Sequence, residues 1–393
     1  MNIGIPKELY LGEQRVAIIP SVVPRLTAAG FTIMIEEGSG LLSGFADQDY
    51  RDKGTVVVSG RKTVFHQSDY ILQVHALNPA GKIDEEDLAL THPGQILIGL
   101  LNPLGSPDVA QSLADHKVTA FALELVPRIA RAQSMDVLSS MASIAGYKAV
   151  ILAADHLSRM FPLLMTAGGT LLPARVFIIG AGVAGLQAIA TARRLGAVVH
   201  AWDIRPAVKE QVESLGAKFA EAPVEARDAE TASGYARAMD ESFYRRQREW
   251  MTKLILESHV LVTSAAVFGG KAPILITEDM VRQMSPGAVI VDLAGEQGGN
   301  CELTRFGKTV SKNGVTIMAP ANLATTVPYH ASQMYANNTA NFILHLTDNG
   351  KTLPSNFNLD DQIIRETMIT REGQVVNPTV SMMLNKTGSS PDQ

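Results

Sequence analysis

The run Val176-Phe177-Ile178-Ile179-Gly180-Ala181-Gly182-Val183-Ala184-Gly185 limits the fold of this chain more than any other feature. Four apolar residues read as a buried strand, three glycines spaced G-x-G-x-x-G as a sharp turn, and the continuation Leu186-Gln187-Ala188 as a helix. A second β-rich run, Val198–Trp202, ends in Asp203, 23 residues past Gly180. A ribose-binding acid in a dinucleotide fold stands about 20 residues along. Each glycine then has its own task. Gly180 makes the tight turn, Gly182 lets the backbone approach a pyrophosphate, and Gly185 lets helix and strand pack closely. The N–H groups at the helix start, around Val183 and Ala184, face that pyrophosphate. Asp203, followed by Ile204 and Arg205, accepts bonds from ribose hydroxyls and repels a 2′-phosphate, which favours NAD over NADP. Arg205 argues the other way, since an arginine there is able to pair with the phosphate. A purely structural turn is the competing reading of the glycines. An upstream run, Gly38-Ser39-Gly40, has its third glycine one residue late, at Gly44, and reads as a plain turn.

The rest of the chain suits the same class. At 393 residues, 46% hydrophobic and 19% charged, it has room for two α/β domains and is neither disordered nor coiled coil. Asn2–Pro6, Phe31–Glu36, Thr55–Val58, Tyr70–Val74, Gln95–Leu101 and Val118–Leu123 read as strands, with helical stretches such as Ser21–Ala29 and Pro107–His116 between them. A helix is expected over Ser134–Met160, then a turn-rich segment Pro162–Pro173, then a second βα alternation. Long helices are expected over Tyr235–Glu257 and Ser332–Leu346. Fold class is therefore α/β: two doubly wound, mostly parallel sheets joined by long helices. One domain comprises 1–130 completed by 325–380, the other 140–315, and 381–393 forms a flexible tail. A net charge of −5 excludes a nucleic-acid backbone or anionic membrane as the natural partner. The lone Cys301 excludes an internal disulfide and a multi-cysteine zinc site. The charged, Pro-broken start does not read as a signal peptide. The uncharged stretch Leu88–Pro107 is broken by three prolines, so no direct membrane span is expected there. A soluble protein of a reducing compartment is the expectation. No histidine has a partner at metal-ligand spacing, so no metal is expected, and Arg245-Arg246-Gln247-Arg248-Glu249 reads as a solvated helix face.

Pro127-Arg128-Ile129-Ala130-Arg131-Ala132-Gln133-Ser134-Met135-Asp136-Val137-Leu138-Ser139-Ser140 is dense in hydrogen-bonding groups just before a long helix. One reading is a helix start, with Ser134 capping and Asp136 favouring the dipole. The other is a ligand site.

Here the sequence resembles a known family. Ile5-Pro6-Lys7-Glu8, Gly12-Glu13-x-Arg15-Val16-Ala17, the run Pro127 to Ser140, Ala145-Gly146-Tyr147, the glycine loop and Gly298-Gly299-Asn300-Cys301 together resemble the NAD(H)-binding component of proton-translocating NAD(P) transhydrogenases, kin to alanine dehydrogenases. The resemblance spans nearly the whole chain and is most specific at Arg131-Ala132-Gln133-Ser134-Met135-Asp136. It implies a homodimer that works with membrane-embedded subunits and an NADP(H)-binding component, peripheral on the inner, cytoplasmic face of the membrane. It implies that NAD(H) lies in the cleft between the domains. Arg128, Gln133, Asp136 and Ser139 then surround the nicotinamide and its ribose as the catalytic set. Ser134, Met135 and Val137 line the same segment, and Gln133 reaches toward the NADP-bearing partner. Tyr235, after Gly234, matches a mobile-loop tyrosine, or else it anchors a helix start. Ala265 matches a contact at the NAD edge, although the segment Ala265–Pro273 departs from the family's usual Leu-Ile-Pro-Gly-Lys-Pro. Ala167-Gly168-Gly169 and Asn322-Leu323-Ala324-Thr325-Thr326 depart as well.

The two kinds of relative differ chemically. Reductive amination needs a cation for the substrate carboxylate and a general acid/base, which alanine dehydrogenases supply as a lysine and a histidine on successive strands. The matching positions here are Gln73 and Leu100, which cannot titrate, whereas hydride passage between two nicotinamides needs only their alignment. His75, two residues past Gln73 and by alternation on the same strand face, keeps an alanine-dehydrogenase-like activity open. So does the family fold alone for a non-catalytic NAD-binding regulator.

Overall fold

The computed structural model describes residues 1–77, 83–221, 240–266, 270–351 and 357–387. The chain divides into two units, Met1–Met141 with Thr325–Gln393, and Ala142–Ala324. The front of the chain supplies β1 (Asn2–Ile5), β2 (Thr32–Glu36), β3 (Val56–Val58), β4 (Tyr70–His75), β5 (Ile96–Leu100) and β6 (Thr119–Ala122). The middle supplies a hairpin, β7 (Leu164–Thr166) and β8 (Gly169–Leu171), then β9 (Arg175–Ile179), β10 (Val198–Trp202), β11 (Lys218–Phe219) and β12 (Val260–Thr263). It goes on with β13 (Val289–Asp292), β14 (Thr309–Lys312) and β15 (Val315–Met318), and the end adds β16 (Met368–Arg371) and β17 (Gln374–Val375).

The first sheet runs β17-β16-β6-β5-β4-β1-β2-β3 and the second β11-β10-β9-β12-β13-β15-β14. The pairings are parallel except at the edges, where β16, β17 and β14 run antiparallel. Each sheet grows outward from its first strand, then crosses back to the other side, so both are doubly wound. The switch points lie between β1 and β4 and between β9 and β12. Strands such as β12 and β13 are buried along their whole length, as parallel sheets covered on both faces require.

In the first unit, Ile3, Ile33, Leu72 and Phe121 pack with Tyr335, Phe342 and Ile343 of helix Pro328–Leu346, which brings the end of the chain back onto the front sheet. In the second, Val176, Ile178, Val260 and Val289 pack with Ala149, Val150 and Ala153 of helix Val137–His156. That helix is long and apolar enough to cross a membrane by length and composition, a test that a core helix also passes. A methyl group on its Gly146 would lie 2.0 Å from the Ala184 carbonyl oxygen, so glycine is what lets it approach the glycine-loop helix.

Several expectations are corrected. The turn-rich segment Pro162–Pro173 contains the β7–β8 hairpin, closed at Ala167-Gly168. Its strands bury nothing within the unit, so they leave no packing pattern to read. The tail expected from 381 is instead helix Pro378–Thr387. Asn377 Oδ1 accepts the Thr379 and Val380 N–H groups at its start, and Val380 is buried. Residues 388–393 lie outside the described residues. The helix expected from Ser134 starts at Val137, because Ala130–Met135 winds as a 3-10 turn first. The helix expected from Tyr235 is described from Glu241 to Leu256.

Candidate functional site

At the switch point of the second sheet the glycine loop follows β9, Asp203 follows β10, and Ser264-Ala265 follows β12. Gly180 sits at φ +96°, a left-handed backbone that favours glycine. A methyl group on Gly185 would lie 1.8 Å from the Gly180 carbonyl oxygen, so Gly185 too is fixed by the loop itself. Gly182 is different. Its nearest foreign atom to such a methyl is Arg205 Nη2 at 3.9 Å, leaving the cradle above it open. Gly182 is also the N-cap of helix Val183–Arg194 and offers no side-chain cap. The first N–H groups of that helix, near exposed Val183 and half-buried Ala184, therefore face an anion-sized space under a favourable dipole. These residues fit the pyrophosphate of a dinucleotide.

Asp203 is buried, and its carboxylate does two things at once. Oδ2 accepts the Ala181 N–H at 2.7 Å, which ties the acid to the glycine loop. Oδ1 accepts the Arg205 N–H at 2.8 Å, and the Arg205 guanidinium lies on both oxygens, Nε at 2.9 Å and Nη2 at 3.0 Å. The arginine that could have welcomed a 2′-phosphate is thus engaged by the acid. Ile204 packs beside the second core.

The loop after β12 is held by residues that sequence reasoning left without a role. Asn300 Oδ1 accepts the Ala265 N–H at 3.0 Å, and its Nδ2 donates to the carbonyls of Ala265 (2.8 Å) and Pro273 (2.9 Å). Asn300 is placed in turn by Asp292, whose buried carboxylate accepts the N–H groups of Asn300 and Cys301 and the hydroxyls of Thr263 and Thr304. The same contact explains Gly299: its φ is +85°, and a methyl there would meet Asp292 Oδ2 at 2.7 Å. Ser264 Oγ donates to the Gly180 carbonyl at 3.0 Å, so loop and glycine turn brace each other. Val267–Gly269 of the departing segment, and Gly234 and Tyr235, lie outside the described residues.

In the first unit, the Arg128–Ser139 segment is a built turn. Asp136 caps helix Val137–His156: its carboxylate accepts the Ser139 N–H at 2.8 Å and the Ser139 hydroxyl at 2.6 Å. Asp136, not Ser134, is therefore the cap. Ala132, Met135 and Val137 are buried in the core, whereas Arg128, Gln133 and Ser134 are not buried. Two of the predicted catalytic residues, Asp136 and Ser139, are thus brought into contact, and Gln133 projects from the same turn. Arg131 pairs with Asp361 at 2.5 Å. Burial would raise the Asp361 carboxyl, but Arg131, the Ile363 N–H and His345 hold it down at about 2.

The positions that decide between the two chemistries are also clear. Gln73 is buried and Leu100 half-buried. The pairing of β4 with β5 slips between Leu72 and His75, so the alternation that placed His75 on the face of Gln73 is broken. His75 stacks on Tyr10, ring centroids 4.3 Å apart, and its Nε2 lies 3.1 Å from Glu13 Oε2. Glu13 also holds Arg15 by two hydrogen bonds, 2.7 and 2.6 Å. Burial opposes ionisation of Glu13, but Arg15 and His75 keep its carboxyl well below the usual carboxylate range.

Fold and glycine loop together define a two-domain protein of the dinucleotide-binding class. Residues 4–145 match the model of the alanine dehydrogenase/PNT N-terminal domain, and residues 149–378 that of its C-terminal domain. This chain belongs to the alanine dehydrogenase/PNT family. It is 45% identical to the first portion of the two-part NAD(P) transhydrogenase subunit alpha of Rhodospirillum rubrum, over 97% of this chain and 99% of that protein. Among solved structures it resembles a transhydrogenase from Sinorhizobium meliloti, with TM-score 0.82 and 38% identity over 96% of this chain and 99% of the other. An L-alanine dehydrogenase structure also matches, with TM-score 0.80 and 27% identity over 98% and 99%.

Proposed function

We propose that this chain is the NAD(H)-binding subunit of an NAD(P) transhydrogenase, an oxidoreductase that passes a hydride directly between NADH and NADP held on a partner component. The nearly full-length likeness to the Rhodospirillum protein carries this reading. Gly180, Gly182, Val183, Ala184 and Gly185 would hold the pyrophosphate, and Asp203 with Ile204 and Arg205 the adenosine ribose. Ala265 would border that edge, and Arg128, Gln133, Ser134, Met135, Asp136, Val137 and Ser139 the nicotinamide end. When bound, the cofactor supplies the hydride. What the chain supplies is orientation, because no proton transfer at carbon is needed. Gln73 and Leu100 support this, since neither moves a proton. Coupling to proton movement would rest with membrane-embedded subunits, against which this subunit would work from the inner face.

A homodimer is part of the reading. The β7–β8 hairpin exposes Met165 (74%) and Leu172 (80%) together with Leu163, Leu164 and Leu171. Such a clustered apolar arm suits a second copy of the chain. The test is to titrate the purified protein with NADH by fluorescence, then mix it with the NADP(H)-binding component of a transhydrogenase. Binding without transfer alone, and transfer on mixing, is expected. No rate with both nucleotides bound refutes the reading.

A further inference from the structure

The Ala130–Met135 turn is short, exposed on one side, and ends in a carbonyl that its own 3-10 winding does not satisfy. That carbonyl, on Ser134, accepts two side-chain amides from helix Pro328–Leu346: Asn338 Nδ2 at 2.9 Å and Asn341 Nδ2 at 2.8 Å. The two asparagines stand three residues apart and so share one helix face. Asn338 is 7% exposed, and its Oδ1 is buried with no hydrogen-bond partner. A buried amide that leaves its acceptor unsatisfied costs stability, so its use here lies in the donor it presents to Ser134. Arg131, bound to Asp361, fixes the other side of the turn.

We propose that Asn338 and Asn341 are positioning residues. By clamping the Ser134 carbonyl they fix the turn from which Gln133 and Asp136 project toward the reacting rings, and they touch neither nucleotide. This rests on the transhydrogenase reading. A turn that drifts by about 1 Å costs about 10²-fold in rate while the glycine loop and Asp203, in the other unit, keep most of the binding.

The experiment compares the full-length protein with Asn338→Leu/Asn341→Leu and with Asn341→Gln, which keeps a donor. Three quantities are read: amide hydrogen exchange of residues 130–136 in the free protein, NADH affinity by fluorescence, and hydride transfer at saturating nucleotides with the NADP(H)-binding component. In the double variant, exchange in 130–136 rises by roughly tenfold or more on loss of two hydrogen bonds. Transfer falls by about 10²-fold with NADH affinity kept within about threefold, and Asn341→Gln stays near the unsubstituted protein in all three. Unchanged exchange in 130–136, unchanged transfer despite faster exchange, or equal losses of affinity and rate each overturn the proposal. If the unsubstituted protein transfers no hydride, the transhydrogenase reading fails by itself, and the exchange result alone decides whether the amides hold the turn.

Discussion

Asp203→Asn is the substitution that best separates cofactor choice from loop support. The carboxylate receives the Ala181 and Arg205 N–H groups and both arms of the Arg205 guanidinium, through four hydrogen bonds. Asparagine keeps one acceptor oxygen and turns a donor toward the other partners, so part of this set becomes repulsive. Bonds to a charged group are worth about 1.5–3 kcal/mol each and neutral ones about 1. Loss of two ribose bonds and a loosened Ala181 turn should therefore weaken NADH binding by about 1–3 kcal/mol, roughly five- to 150-fold in Kd. The released Arg205 becomes able to meet a 2′-phosphate, so NADPH binding should weaken less or improve. Fluorescence titration with both nucleotides, at a temperature where thermal denaturation shows the variant folded, reads both effects. An unsubstituted protein that binds NADPH as tightly as NADH, or a variant that binds NADH unchanged, refutes the assignment of Asp203 as the ribose acid.

Asn300→Ala should unpin the loop at Ala265 and leave buried amide and carbonyl groups unpaired; a cost of about 1–3 kcal/mol in stability is expected by urea denaturation, together with weaker NADH binding. Steady NADH production from L-alanine and NAD is not expected, and its appearance, lost on replacing His75, would move the chemistry to the front unit. Met165→Asp/Leu172→Asp should shift the protein toward monomer in analytical ultracentrifugation, and an unchanged mass would remove the hairpin from the interface. Burial raises the Glu8 carboxyl from 4.5 to about 8. The folded state therefore holds a proton that the unfolded state has shed, and this group's contribution to stability is lost as pH rises from about 4.5 to 8. Glu8→Gln should remove that slope from the pH dependence of stability measured in urea.

How much of this was legible depends on the range of the interaction. The glycine loop was readable because strand, turn, helix and acid follow one another within a few turns of chain, and each residue's task is local. The doubly wound order was readable for the same reason, since short βα units wind one way. Asn300 stood in a recognised motif but without a role, because its partners Ala265, Pro273 and Asp292 meet only after β12 and β13 are paired. Asn338 and Asn341 gave no signal at all. Two asparagines within a helix read as solvated, and the carbonyl they hold lies more than 200 residues away in sequence. The slip between β4 and β5 was hidden too, as a bulge leaves the apolar pattern intact while turning His75 away from the alternation.

The front sheet explains why two similar folds need not give two dinucleotide sites. Its strand order repeats that of the second sheet, and its switch point, between β1 and β4, is where a phosphate would sit. Yet β1 is followed by Pro6-Lys7-Glu8 rather than by glycines. Glu8 is buried, and its carboxyl accepts the Val74 N–H at 2.6 Å and the His75 N–H at 3.1 Å from the end of β4. The backbone donors that an anion would need there are taken by a side chain of the chain itself. Beside them the Arg15 guanidinium is held by Glu13 in a two-pronged bond. The positive charge of Arg15 at this switch point is thus neutralised from within, whereas the cradle over Gly182 is left open. A chain with one open phosphate cradle and one filled from inside binds a single dinucleotide, so a hydride it gives up to a second one must leave for another polypeptide.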